Sequence, residues 1–327
     1  MKGNGALGVL AVLWLAVLFA APLLGPGRLD LDAALASGSI DATILWQMRL
    51  PRVLLALVGG AALAVSGTAF QTLFRNPLAE PYTLGVAGGA ALGAVLALHI
   101  GEWSGFGGLP AVALASFAGA AAVGATLVAL ARTERGADSA TLLLAGIAIS
   151  LSCSALILFI QYQTDFTRSF RMVRWMMGGL VVVGYREVGW VAPWALAGSL
   201  FLFARRWGLD LLLAGEEVAA SRGLDLDRVR WSVLAVVSLM VGSLVAVTGP
   251  IGFVGLIVPH MLRRFVGHTH GLLLPACFLG GGAFLAVADL AARTVMAPAE
   301  LPVGVLTALM GGPFFLWLLL RRRTPLA

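Results

Sequence analysis

The residues able to do covalent chemistry are few, and their spacing excludes the common kinds. Lys2 is the only lysine among 327 residues, so no GxxxxGK[ST] phosphate loop exists, and any ATP that drives this protein must be hydrolysed by another subunit. Neither HExxH nor GxSxG occurs, which removes the usual membrane-hydrolase motifs. His99, His260, His268 and His270 lack metal-ligand spacing, and His268 with His270 reads as a solvated turn. Cys153 and Cys277 stand alone in apolar runs, as small core residues do. The chain is therefore not expected to be an enzyme or to hold a metal or cofactor.

What remains is charge in unusual places. Asp289 and Arg293 lie i, i+4 in an apolar run, the spacing of a local ion pair. Arg168, Arg171 and Arg174 recur at i, i+3 and i+6, so a helix would carry them on one face. From Leu209 to Arg230, leucines and valines alternate with Glu216, Glu217, Arg222, Asp225 and Asp227, punctuated by Gly215 and Gly223. That pattern predicts one or two short amphipathic helices. Their mixed signs suit docking to a protein better than lying in lipid headgroups, where lysine and arginine dominate.

The elements that must position these residues follow from composition. The chain is 60% hydrophobic and 12% charged, against roughly 25% charged in soluble domains. Its apolar residues come in blocks of about 20, the length of a bilayer-spanning helix. In lipid every backbone group must pair internally, so the fold is expected to be all-α and polytopic. About ten spans are predicted, near 6–24, 53–72, 83–101, 109–131, 141–161, 180–204, 231–249, 251–266, 272–290 and 302–320, forming one transmembrane domain over 1–327. The N-terminal run imitates a secretory leader, but Pro22 after Ala20-Ala21 and the later spans favour an uncleaved first helix. The formal net charge of +6 fits arginine-rich cytoplasmic loops rather than nucleic-acid binding. Placing the N-terminus in the cytoplasm puts most of the 22 basic residues there, Arg135, Arg322 and Arg323 included, and leaves Arg28, Arg49, Arg52 and Arg293 among the outer exceptions. Ala64-Val65-Ser66-Gly67 returns as Ala246-Val247-Thr248-Gly249, and the same offset carries Pro77 to Pro259 and Gly85 to Gly267. This suggests an inverted repeat of spans 2–5 and 7–10, a transporter pattern. Span interiors nearly free of ionisable groups argue against an ion-coupled carrier.

Several segments together resemble a known family. Arg49-Leu50-Pro51-Arg52 through Asn76-Pro77-Leu78-Ala79-Glu80-Pro81 is similar to the FecCD-type permeases of ABC importers for iron chelates, haem and cobalamin. So are Trp175-Met176-Met177-Gly178-Gly179, the 209–230 loop, the run from Gly249 to His260, and Ala299-Glu300-Leu301-Pro302-Val303-Gly304. The resemblance covers residues 45 to 323.

It implies a permease of the bacterial cytoplasmic membrane with both termini cytoplasmic, working as a homodimer. Two cytoplasmic ABC ATPase subunits, which bind ATP and magnesium, and an extracytoplasmic substrate-binding protein would complete the transporter. Arg49, Arg52 and Arg293 would receive acidic residues of the binding protein, since arginine grips carboxylates bidentately. Leu213, Gly215, Glu216, Glu217, Ala220, Arg222 and Gly223 would couple to the ATPase. Asn76, Leu78, Asp138 and Ser139 would stand near the cytoplasmic gate. Arg168, Arg171 and Arg174 would ring the outer pathway mouth and attract an anionic cargo, which favours a ferric siderophore or haem over the alternative, cobalamin. Rival readings are an ion-coupled secondary transporter and a non-transporting membrane scaffold.

Overall fold

The computed structural model describes residues 2–27, 29–36, 38–82, 84–101, 110–132 and 139–321. Asp138 and the arginines at 28, 135, 322 and 323 lie outside them. In chain order the helices are α1 (Lys2–Ala20), α2 (Leu31–Leu35), α3 (Ile40–Thr43), α4 (Leu50–Leu73), α5 (Val86–Ile100), α6 (Ala111–Ala131), α7 (Ser139–Gln163), α8 (Phe166–Met176), α9 (Arg186–Ala204), α10 (Arg206–Ala214), α11 (Glu216–Ser221), α12 (Leu226–Thr248), α13 (Val254–Val266), α14 (His270–Thr294) and α15 (Val303–Arg321). Ten of them answer to the ten expected spans: α1, α4 to α7, α9 and α12 to α15.

Most boundaries agree within a few residues, and the exceptions have local causes. The sixth span begins at Arg186 rather than 180, because Gly178 and Gly184 take positive φ and the chain between them is irregular. A wide π turn, Ile44–Arg49, leads into α4. Pro51 has no N–H to give the carbonyl of Gln47, and that oxygen instead accepts the N–H of Gly184 at 2.7 Å.

α4 is the axis of the bundle, buried along nearly its whole length and packed against α14, α9, α13 and α12. Apolar side chains gain little by burial when the solvent is lipid, so close backbone approach must hold the helices. Glycine permits that approach. A Cβ on Gly60 would overlap the carbonyl of Gly281 on α14, and one on Gly67 would overlap that of Gly255 on α13.

The helix contacts carry a two-fold exchange. α4 packs on α14 as α12 packs on α6; α5 packs on α6 and α7 as α13 packs on α14 and α15; α4 meets α13 as α12 meets α5. Spans 2–5 therefore mirror spans 7–10 in their pairings. The matched letters do not mark equivalent places, however. Gly67 lies inside α4 whereas Gly249 caps α12, and Gly85 precedes α5 whereas Gly267 follows α13. Small-residue runs recur by composition alone, while the repeat lives in the pairing of elements.

Gly67→Val is expected to lower stability by about 1–3 kcal/mol or more through overpacking against α13. Thermal unfolding of the purified protein in detergent would measure it, with the exposed Gly189 of α9 replaced by alanine as a near-neutral control.

Candidate functional site

Two of the ten apolar helices are short. α5 has 15 residues and α13 has 13, which rise about 22 and 20 Å, against about 30 Å of hydrocarbon. They occupy corresponding positions in the two halves, and each starts from a residue in the left-handed conformation, Gly85 at φ 81° and Phe253 at φ 68°. Interrupted segments at matching positions of a repeat are where transporters place their working parts.

The irregular stretches before α5 and α13 meet each other. Tyr82 Oη accepts a hydrogen bond from the N–H of Ile251. The buried Glu80 carboxylate accepts one from the N–H of Phe253. Two further motifs close around them. The N–H of Gly179 donates to Thr248 at 2.7 Å, and that of Gly304 donates to Gly178 at 3.2 Å. Gly178 has φ 68°, and a Cβ there would overlap the carbonyl of Pro250. A left-handed phenylalanine is costly by roughly 1–2 kcal/mol; the ring of Phe253 is received where Gly311 of α15 leaves no side chain. Segments 76–82, 176–179, 248–253 and 301–304 thus form one junction of helix breaks. Irregular backbone inside a membrane bundle is tolerated only when its polar groups are paired in this way.

The outer arginines are engaged inside the chain. Arg49 is 8% exposed, and its guanidinium donates to the carbonyls of Pro22, Leu23, Pro26 and Gly27 at 3.0–3.5 Å. Arg293 is 3% exposed and donates to Ala21 at 2.8 Å. Both satisfy carbonyls of the turn that follows α1. Arg52 grips Asp289 with Nε and Nη2 at 2.9 and 3.0 Å and reaches Glu300 at 2.8 Å. Asp289 does face Arg293, at 3.8 Å, but Arg52 is its principal partner. The three arginines expected to meet a docking partner thus make their contacts within the chain, with Nε of the buried Arg293 left without a hydrogen bond. Only the Arg52–Glu300 edge reaches the surface, through a Glu300 side chain 40% exposed.

The three arginines of α8 also divide. Asp165 caps the helix, accepting the N–H of Arg168 at 3.0 Å. The Arg168 side chain then donates to the carbonyl of His99 at 2.8 Å and pairs with Asp165 at 3.3 Å. Arg171 and Arg174 are exposed. The expected trio of free charges is a pair.

At the other end of the bundle, α10 and α11 form the expected amphipathic hairpin around Gly215, whose φ is 122°. Leu209, Leu212 and Ala219 anchor it, while Leu213, Glu217, Ala220, Arg222 and Gly223 are exposed. Glu216 is tied back by Arg230 at 2.8 Å. Asn76 makes a side-chain turn, accepting the N–H of Leu78 at 3.0 Å, and both residues are half-buried. Ser139 opens α7.

One connection was not foreseen. His270 is not in a solvated turn: it is 0% exposed. Its N–H donates to Asp210 of α10 at 2.8 Å, its Nδ1 lies 2.6 Å from the same carboxylate, and its Nε2 lies 2.8 Å from Thr72 Oγ1 of α4. The chain Asp210–His270–Thr72 fastens the hairpin to α14 and α4. Three polar residues so far apart in sequence leave no local signal.

Comparison with known proteins is consistent along the chain. Residues 9–321 match the FecCD transport family. The chain is 42% identical over 279 residues to the vitamin B12 import system permease protein BtuC of Escherichia coli O9:H4 (strain HS), covering 85% of this chain and 84% of that one. The same figures hold for BtuC of Shigella boydii serotype 18. An inward-facing ABC transporter assigned to the metal-chelate type superposes with a TM-score of 0.84 at 32% identity, covering 97% of this chain and 99% of that one. PsaBC from Streptococcus pneumoniae, in complex with Fab, shares the fold at a TM-score of 0.53 and 16% identity.

Arg52→Ala is expected to destabilise the protein by about 3–5 kcal/mol, because it removes the principal partner of the buried Asp289 and leaves only Arg293 at 3.8 Å. Adding Asp289→Ala should recover part of the loss. A double-mutant cycle by unfolding in mixed micelles would read both.

Proposed function

The chain belongs to the FecCD transport family, and on that premise we propose that it is the membrane permease of an ABC importer whose cargo is a corrinoid of the vitamin B12 class. It is homologous to BtuC permeases, and as a permease it is not itself an enzyme. The observation that carries the transport reading is the junction itself. Two short helices in corresponding positions start from left-handed residues, and side chains before one accept backbone N–H groups before the other. Such an element has few ways to rearrange, and packed interfaces of this kind switch between discrete states.

In this reading two copies pair around one pathway in a bacterial cytoplasmic membrane, with both termini in the cytoplasm. ATPase subunits, which hold the ATP and magnesium, dock on α10 and α11 through Leu213, Glu217, Ala220 and Arg222. Their closure pushes the hairpin, and Asp210–His270–Thr72 carries the push to α14 and α4. Asn76, Leu78 and Ser139 would stand beside the cytoplasmic gate. An extracytoplasmic binding protein delivers the cargo to the opposite face, around the Arg52–Glu300 edge.

The cargo assignment rests on two supports. Identity to vitamin B12 permeases extends over 85% of the chain. The argument for an anionic iron chelate rested on the three arginines of α8, and one of them, Arg168, is engaged by His99 and Asp165. A neutral or weakly charged macrocycle has less need of them.

Reconstitution of the complete importer in liposomes tests both levels. ATP-dependent uptake of cyanocobalamin, with haem and ferric hydroxamates excluded, is the expected result; uptake of the iron compounds alone would overturn the corrinoid assignment. Uptake driven by an ion gradient without ATP would overturn the importer itself. Glu217→Arg with Arg222→Glu should reduce transport-coupled ATP hydrolysis by about tenfold or more, since like charges would face the docking surface.

A further inference from the structure

The face that carries α10 and α11 also holds a cavity of about 870 Å³, whose wall includes Leu213 of the hairpin and Pro77 of the turn between Asn76 and Leu78. The cavity lies where α4, α13 and α15 end, with Leu213 at its edge. Arg75, Arg263, Arg264, His260 and His268 line it, and among the described residues no aspartate or glutamate does. Among the described residues, no salt bridge includes any of the three arginines. Arg263 is only partly exposed, so its charge is poorly served by water. A cluster of like charges without an acid is self-repelling and calls for an anion from outside the chain.

The surroundings say what kind of anion fits. Met261 belongs both to this cavity and to an apolar groove of about 200 Å³ between α1, α13 and α14, lined by Leu10, Leu13, Val258 and Phe284 among others. On the cavity side, Phe265 and Trp317 are 64% and 44% exposed, an aromatic rim of the kind found at membrane interfaces. α13 runs from Val258 in the groove to Arg263 and Arg264 in the cavity. A phosphate in the cavity would therefore continue directly into an acyl chain in the groove.

We propose that this is a binding site for one anionic phospholipid: the phosphate on Arg263, Arg264 and Arg75, and one acyl chain along α13. Basic pockets between spanning helices on the cytoplasmic side are suited to such headgroups. The lipid would brace α13, one of the two short helices of the junction.

The test uses the purified full-length protein in detergent, with native mass spectrometry for stoichiometry and thermal unfolding for affinity. Phosphatidylglycerol is expected to bind as one retained molecule per chain and to raise the melting temperature, whereas phosphatidylcholine should do neither. Each of Arg263→Ala and Arg264→Ala should weaken phosphatidylglycerol roughly five-fold. Arg205→Ala, on the same side but outside the cavity, should not. If the Arg263 variant fails to fold, the exposed Arg264 gives the same comparison. Equal binding of the two lipids, undiminished binding in the cavity variants, or stabilisation reproduced by inorganic phosphate alone would each overturn the proposal.

Discussion

Inside an apolar bundle a backbone amide or carbonyl without a partner costs several kcal/mol, and this chain breaks its helices where that cost applies. The breaks before α5 and α13, together with the turns at 176–179 and 301–304, answer one another's donors and acceptors. Tyr82 takes the N–H of Ile251, Glu80 that of Phe253, Thr248 that of Gly179, and Gly178 that of Gly304. None of these breaks could be moved alone without orphaning groups in another. The positions of α5, α13 and α15 are therefore set together, which makes the junction a unit able to change state as a whole.

The same constraint explains the charges. Arg49 and Arg293 satisfy carbonyls of the turn that follows α1, and Arg52 neutralises Asp289 beneath the end of α14. These contacts tie α1, α4 and α14 at one end of the bundle. At the other end Asp210, His270 and Thr72 tie α10, α14 and α4. α4 and α14 are thus fastened at both ends and meet in the middle through Gly60 and Gly281. A displacement of the α10–α11 hairpin would be carried along a stiff pair of helices and not absorbed near its origin.

Much of this fold was legible in the sequence because its causes are local. Composition and block length determine a polytopic helical protein, since lipid admits little else. Glycine and proline mark where helices stop, and alternation of leucine with acids marks the exposed hairpin at 209–223. The motifs that resemble the FecCD permeases were visible as strings, and the family match agrees with them. The tertiary structure decided which strings touch. Whether an arginine faces water or a carbonyl depends on groups that arrive from distant segments: Arg52 meets Asp289, 237 residues away. His270 looked like part of a polar turn, and only the folded bundle encloses it between Asp210 and Thr72. Local sequence limits backbone form, whereas the partner of a polar group is fixed by packing, where each buried donor must find its acceptor.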